Sequence, residues 1–248
     1  MKFPVSLDLS RPAYDEPCAE VLRKSGMSEG SDTSGPGFRR RHSKGLATRA
    51  RILRVAERLF AEHGLDGVSL REITAEAEVD LALVNYHFKS KDRLYQTIIA
   101  RRANIISRAR QRALRNHGPN PTIEQIVESF IYPFFQRVRS RDPGWGHYAA
   151  LIAQISFSRK YLDFQHEYLD PTAEVFVDVL SRLNPHGERQ VLYWIYGFMV
   201  GSFAQILIGW ERIQRLSGST SGADAMDQAY EQLCRYTVSG IKTLLDSR

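Results

Sequence analysis

Residues 47–105 carry a series of short amphipathic segments separated by helix-ending and helix-capping residues, and this series restricts the fold more than any other feature. From Ile52 to Phe60, apolar residues recur at the three- and four-residue spacing of one face of an α-helix. Gly64 follows, at a position where a left-handed glycine can end that helix. Alternating runs that would predict strands do not stand out in the sequence. We therefore predict an all-α protein.

Three capping residues divide the next stretch into three further helices. Ser69 and Glu72 have the spacing of a capping box, and Asp80 and Ser90 are good first caps for the helices that follow them. A tight turn at residues 78–79 separates the second helix from the third. Three short helices with such a turn between the second and third are typical of a helix-turn-helix, a motif that binds DNA.

Composition divides the chain of 248 residues into three parts. Residues 1–44 contain four prolines and a stretch rich in serine and glycine, which predicts a disordered tail. Its Arg39–Arg41 run is either a solvated cluster or an arm for a DNA minor groove. We predict a helix-turn-helix domain at residues 45–95 and a second helical domain at 96–248. Breaks in the second domain predict a helix after Thr122 and others near 145–159, 161–168, 171–183, 188–213 and 223–246.

Charge and cysteine content narrow the possible functions. The formal net charge of +6 favours a polyanion or an anionic membrane as partner. The two cysteines have no metal-ligand spacing, and the sequence has no phosphate-binding loop or paired nucleophile and base, so we expect no metal, no cofactor and no enzymatic activity. The first residues lack an apolar run of signal-peptide length, which predicts a cytoplasmic protein.

Residues 50–94 resemble the N-terminal domain of the TetR (tetracycline-repressor) family of transcription regulators. The segment from Asn85 to Lys91 is the most specific part of this resemblance. The matching residues are Ile52, Ala56, Leu59, Phe60, Gly64, Ser69, Ile73, Ala77, Val79, Tyr86, His87, Phe88, Lys91 and Leu94. Two residues depart from the pattern: Glu78 stands where the family often has glycine, and Asp80 where it often has serine or threonine.

The resemblance implies that the third helix enters the major groove of double-stranded DNA, where base edges can be distinguished. Asn85 is a candidate partner for adenine, and Tyr86, His87 and Lys91 are candidate phosphate contacts. The alternative is that Tyr86 and His87 only cap and pack the third helix. The predicted DNA-binding residues are Thr48, Arg49, Ser69, Leu81, Ala82, Leu83, Asn85, Tyr86, His87 and Lys91.

The second domain, by the same resemblance, binds a small-molecule effector. A distant likeness to the branch that senses fatty acids or their acyl-CoA esters favours a lipophilic or aromatic effector. The candidate pocket residues are Trp145, His147, Tyr148, Gln154, Phe157 and Arg159, although aromatic residues here can equally fill a plain core. Six arginines between Arg101 and Arg115 lie on a solvated or DNA-facing helix or, alternatively, bind an acidic effector group.

Residues 191–210 contain no charge and are long enough to cross a bilayer. The family places a dimerisation helix here, so we favour a homodimer contact and expect no stable membrane association. The predicted dimer residues are Gly197, Gly201, Gln205, Leu233 and Tyr236. The leading hypothesis is a dimeric, ligand-responsive regulator that represses transcription from a palindromic operator. A membrane-associated sensor and an enzyme with an aromatic pocket are the alternatives.

Overall fold

Helices make up nearly all of the part of the chain that the computed structural model describes, namely residues 36–140, 142–218 and 223–246. This part contains ten α-helices and one short 3-10 helix and no strand, which confirms the predicted all-α class. The α-helices are α1 Pro36–His63, α2 Leu70–Glu76, α3 Leu81–Phe88, α4 Lys91–Asn116, α5 Ile123–Val138, α6 Gly144–Ser156, α7 Leu162–Tyr168, α8 Asp170–Leu183, α9 Arg189–Ser217 and α10 Ala223–Asp246.

The first helix begins earlier than the periodicity near Ala47 predicts. The chain divides into two units between Gly45 and Leu46, a boundary that lies within α1. Helix α1 already starts at Pro36, and its first half includes Arg39–Arg41, so the end of the predicted disordered tail is helical. Proline suits the first turn of a helix, since its fixed φ is helical and the amide it lacks would have no partner there. The predicted disorder of residues 1–35 lies outside the described residues.

Local side-chain caps start the helices around the predicted motif. Ser69 Oγ accepts a hydrogen bond from the amide of Glu72, and the Ser69 amide donates to Glu72 Oε2 at 2.6 Å. Asp80 Oδ1 accepts from the amide of Ala82, and Ser90 Oγ accepts from the amide of Arg93. Each cap satisfies an amide that has no partner inside its helix. The predicted capping residues are therefore confirmed.

The turn between α2 and α3 requires an unusual backbone conformation at Glu78. Its φ is +50°, in the left-handed region where side chains are disfavoured and glycine is at ease. The amide of Val79 donates to the carbonyl of Thr74, and Arg51 of α1 donates to the carbonyl of Glu78 at 3.2 Å. These two bonds hold the turn closed despite the missing glycine.

Helix α4 connects the N-terminal helices to the rest of the molecule. It packs against α3 at one end and against α5, α6, α7 and α8 further along. Helix α9 packs against α6, α8 and α10, and α5 also packs against α10. A movement of α4 would therefore change its contacts with α3 and with the helices of the second predicted domain.

A buried ion cluster fixes α1 to α4. The guanidinium of Arg102 donates to both carboxylate oxygens of Glu57, at 2.5 and 2.8 Å, and to Asp142 Oδ2 at 3.0 Å. The side chains of Arg102 and Glu57 are only 9% and 8% exposed. The ring of Trp145 covers the guanidinium at 4.5 Å. Burial alone would lower the pKa of Arg102, but its two acidic partners raise it above the ordinary value.

Candidate nucleic-acid interface

Helix α3 has one buried side and one open side. Val84 and Phe88 lie on its buried side and anchor the helix on its neighbours. The residues predicted to read bases, Leu81, Ala82, Leu83 and Asn85, are all exposed. An anchored helix with a free face is the form that can enter a DNA major groove.

Tyr86 and His87 lie together at the end of this open side. Tyr86 is 72% exposed, and its ring meets the edge of the His87 ring at 5.2 Å, with Lys89 above it at 6.0 Å. Burial, and then the charge of Arg49, lower the pKa of His87 below its ordinary value. His87 is therefore mostly neutral at pH 7 and can still donate one hydrogen bond to a phosphate.

The first helix supplies a cation beside α3. Thr48 and Arg49 are partly buried, and the guanidinium of Arg49 lies 5.2 Å from the centre of the Phe88 ring. Burial, and then the charge of Arg101, lower the pKa of Arg49, which stays protonated at neutral pH. Packing against Phe88 thus fixes this charge in place next to the recognition helix.

Lys91 has a structural partner that the sequence did not indicate. Its ammonium donates to the carbonyl of Val68 at 3.0 Å, which ties the start of α4 to the start of α2. Ser69, the next residue, is exposed and already caps α2. This bond brings Lys91 close to Ser69. Lys89, exposed between α3 and α4, is a further cation of this face that the sequence patterns did not indicate.

A cavity of about 170 Å³ lies between α4, α5, α6, α7, α8 and α9. Aromatic side chains form much of its wall, as expected for an effector pocket. Its lining includes Ile106, Ser107, Arg110, Phe130, Phe134, Tyr148, Ile152, Gln165, Tyr168, Asp170, Thr172, Tyr196, Val200 and Phe203.

Of the six predicted pocket residues, Tyr148 lines this cavity and the other five lie outside it. Gln154 and Arg159 are exposed, and Phe157 is 62% exposed, because α6 ends at Ser156 and the chain then turns outward. Trp145 is buried, but it packs on Arg102 and not on the cavity. His147 is partly exposed on α6.

Helices α9 and α10 share an exposed apolar face. Trp194 and Phe198 stack on each other at 6.0 Å and are 58% and 55% exposed. A groove of about 390 Å³ between the helices is lined by Phe198 and Tyr236, among others. Large exposed apolar surfaces on soluble proteins mark contact sites.

The predicted dimer residues fall into two groups. Gly197, Gln205 and Tyr236 are exposed, and Gly201 is partly exposed. Leu233 is a correction, because it is only 5% exposed and packs in the core of its own subunit. Leu233 belongs to the buried stripe of α10, whereas Tyr236, about one turn further along, is 69% exposed at the edge of that stripe.

Helix α9 is also long and apolar enough to cross a membrane by length and composition. Its most apolar window of 18 residues has a mean hydropathy of 1.7, and 28% of that window is buried in the structure. Within the described residues, no three His, Cys, Asp or Glu side chains are grouped so that they could hold a metal ion.

Fold and site together define a helix-turn-helix protein with a helical second domain. The family described as "Bacterial regulatory proteins, tetR family" matches residues 52–98, and "Tetracyclin repressor-like, C-terminal domain" matches residues 128–240. The chain belongs to the TetR family. The branch that senses acyl-CoA esters finds no support in these matches.

Individual relatives agree with this assignment. The HTH-type transcriptional regulatory protein RaaS of Mycobacterium tuberculosis is 35% identical over 130 residues, which are 52% of this chain and 58% of RaaS. The probable HTH-type transcriptional regulator YttP of Bacillus subtilis is 30% identical over 34% of this chain and 40% of YttP. The matches thus span about half the length of these curated relatives. A solved tetR family regulator from Shewanella sp. PV-4 shares the fold, with a TM-score of 0.54, 17% identity, and coverage of 76% of this chain and 97% of that one.

Proposed function

We propose that this protein is a ligand-responsive transcription regulator, a repressor, that binds a palindromic operator as a homodimer. The open face of α3 carries this proposal, because the exposed side chains of Leu81, Ala82, Leu83 and Asn85 face outward to a major groove while Val84 and Phe88 hold the helix in place. The family contains transcription regulators, and regulators of this kind act in the cytoplasm without enzymatic chemistry.

Phosphate contacts in this proposal come from three elements. Arg49 of α1, Tyr86 and His87 of α3, and Lys91 at the start of α4 surround the open face. The first amides of α4 add a favourable dipole for an anion. These contacts set the position on the duplex, and Asn85 with its exposed neighbours on α3 selects the sequence.

The exposed face of α9 and α10 supports dimerisation. Gly197 and Gly201 on α9 allow close approach of a second copy, and Trp194, Phe198 and Tyr236 supply apolar area. This contact would use the surface that makes α9 resemble a membrane span. We therefore prefer a dimer to a membrane-associated sensor. The domains in this proposal are 45–95 for DNA and 96–248 for effector binding and dimerisation.

The cavity supports control by a small effector. Helix α4 lines the cavity and also packs on α3. An effector that prefers one position of α4 would shift the spacing of the two recognition helices in a dimer, and so the affinity for the operator.

DNA binding is tested by selecting bound fragments from genomic DNA and measuring affinity for one of them by fluorescence anisotropy. Tyr86→Ala should weaken binding to all sequences, and Asn85→Ala should relax base preference at one position, at a cost of about 1–3 kcal/mol. Phe157→Ala is the matched control, because Phe157 is a similarly exposed aromatic outside this face. Unchanged binding and preference in both test variants would refute the assigned interface.

A further inference from the structure

Arg110 places a cation on the wall of an apolar cavity. It lies on α4, and its side chain lines the cavity together with the rings of Phe130 and Phe203. Its guanidinium carbon lies 3.6 Å from the centre of the Phe130 ring and 5.6 Å from that of Phe203. Nε donates to the carbonyl of Phe130 at 2.7 Å. This bond and the two rings fix the direction of the guanidinium.

Arg110 differs from Arg102 in having no acidic partner in the described part of the chain. The ion pairs of Arg102 involve Glu57 and Asp142, whereas no carboxylate of the described residues pairs with Arg110. Burial lowers the pKa of Arg110 to about 10, and the groups that raise it are the phenols of Tyr196 and Tyr148. Arg110 is half-buried, and a guanidinium held partly away from water without an opposite charge is costly, so an anion in the cavity would reduce that cost.

Two phenols add hydrogen-bond donors beside this charge. Tyr148 and Tyr196 both line the cavity, and the charge of Arg110 acts on each of them. Burial raises the pKa of Tyr196 to about 12, so its hydroxyl is protonated at neutral pH and can donate. A guanidinium flanked by two phenolic hydroxyls matches the acceptor oxygens of a carboxylate.

We propose that the cavity binds an apolar carboxylate, with the carboxylate on Arg110, Tyr148 and Tyr196 and the apolar body among Phe130, Phe134 and Phe203. This inference rests on the proposed effector function of the same cavity and specifies the chemistry of the effector. A volume of about 170 Å³ is close to the cavity of about 150 Å³ that holds one benzene ring. The ligand proposed for this volume is an arylalkyl or short-chain carboxylic acid.

Asp170 is a charged group at the cavity that would favour a cationic ligand instead. Its carboxylate also borders the cavity, and aromatic walls can hold organic cations. Asp170 already has a partner, because His166 Nδ1 lies 3.3 Å from its Oδ2, and its side chain is 54% exposed. A largely exposed carboxylate with a partner attracts a cation less than a half-buried guanidinium without an acidic partner among the described residues attracts an anion.

The experiment compares three probes of nearly equal shape, measured by calorimetry on the full chain without DNA. They are 3-phenylpropionate, 3-phenylpropanamide and 3-phenylpropylamine. The wild type should bind the carboxylate about 10- to 100-fold more tightly than the amide, as expected for hydrogen bonds to a charged group. Equal affinities, tighter binding of the amine, or no binding of the carboxylate would each overturn the proposal, and these comparisons need no variant.

Variants then identify the residue responsible. Arg110→Met keeps the apolar stem and should abolish the preference for the carboxylate over the amide, whereas Arg110→Lys should retain part of it. Arg159→Met is the matched control, since Arg159 is exposed and outside the cavity, and should behave like the wild type. A preference that persists in Arg110→Met would overturn the assignment. DNA affinity is measured separately, so loss of operator binding with intact carboxylate binding would refute the regulator function alone.

Discussion

Replacing Glu57 by glutamine tests whether the buried ion cluster holds the N-terminal helices on the rest of the protein. The substitution keeps the size of the side chain and leaves the buried Arg102 with only one of its two acidic partners, Asp142. Removing one partner of a buried pair typically costs about 3–5 kcal/mol, since the remaining charge has lost its compensation. Both side chains are less than one-tenth exposed, so solvent screens this interaction little.

The expected loss lies near the lower end of that range, because Asp142 still pairs with Arg102 and glutamine can accept one hydrogen bond. For a chain of this size, a loss of about 3 kcal/mol lowers the melting temperature by roughly 6–12 °C. The assay is thermal unfolding followed by circular dichroism at pH 7 and one fixed protein concentration, because a dimer melts in a concentration-dependent manner.

Glu62→Gln is the matched control. Glu62 lies on the same helix and pairs with Arg58 at 2.9 Å, but its side chain is 43% exposed. Exposed pairs of this kind contribute about 0–1 kcal/mol, so its melting temperature should stay within a few degrees of the wild type. Equal effects of the two substitutions would refute the reasoning that burial gives the cluster its importance.

Three further predictions concern other parts of the molecule. Burial raises the pKa of Asp142, but Arg102 outweighs this effect and holds that pKa below its ordinary value. The ionised carboxylate therefore stabilises the fold above about pH 4, and this stabilisation is lost as the pH falls through the lowered pKa. Asp142→Asn should therefore be less stable at pH 7 yet lose less stability between pH 7 and 3 in thermal melts. Glu78→Gly should relieve the left-handed strain and raise stability by about 0.5–1 kcal/mol, whereas Glu78→Gln should not. Phe198→Glu should yield monomers in light scattering, and Phe157→Glu should leave the dimer intact.

Sequence patterns predicted the helix-turn-helix because each of its signals acts over a few residues. A cap such as Ser69 needs only the amide three positions later, and the observed bond confirms it. The periodicity that places Val84 and Phe88 on the buried side of α3 is likewise local. The turn is local as well, and the positive φ of Glu78 lies at the position where the TetR pattern often has glycine.

The residues that line the cavity differ from the predicted pocket residues because the cavity is built from helices that are distant in sequence. The helix predicted at 145–159 ends at Ser156, and this small difference turns Phe157 and Arg159 outward. The periodicity of α10 places Leu233 on its apolar face, and such a face suits both the core of a subunit and a dimer contact. The packing of α10 buries Leu233 inside its own subunit.

The amino-acid sequence by itself determined where the capped helices α2, α3 and α4 start and which of their faces is apolar, since these depend on neighbours within one or two turns. Only the tertiary structure decided what each arginine between residues 101 and 115 does, because their partners are far away along the chain. It places Arg102 against Glu57, forty-five residues earlier, and Arg110 against Phe130, twenty residues later. Arg102 and Arg110 therefore have different roles on the same helix because their burial and their long-range partners differ.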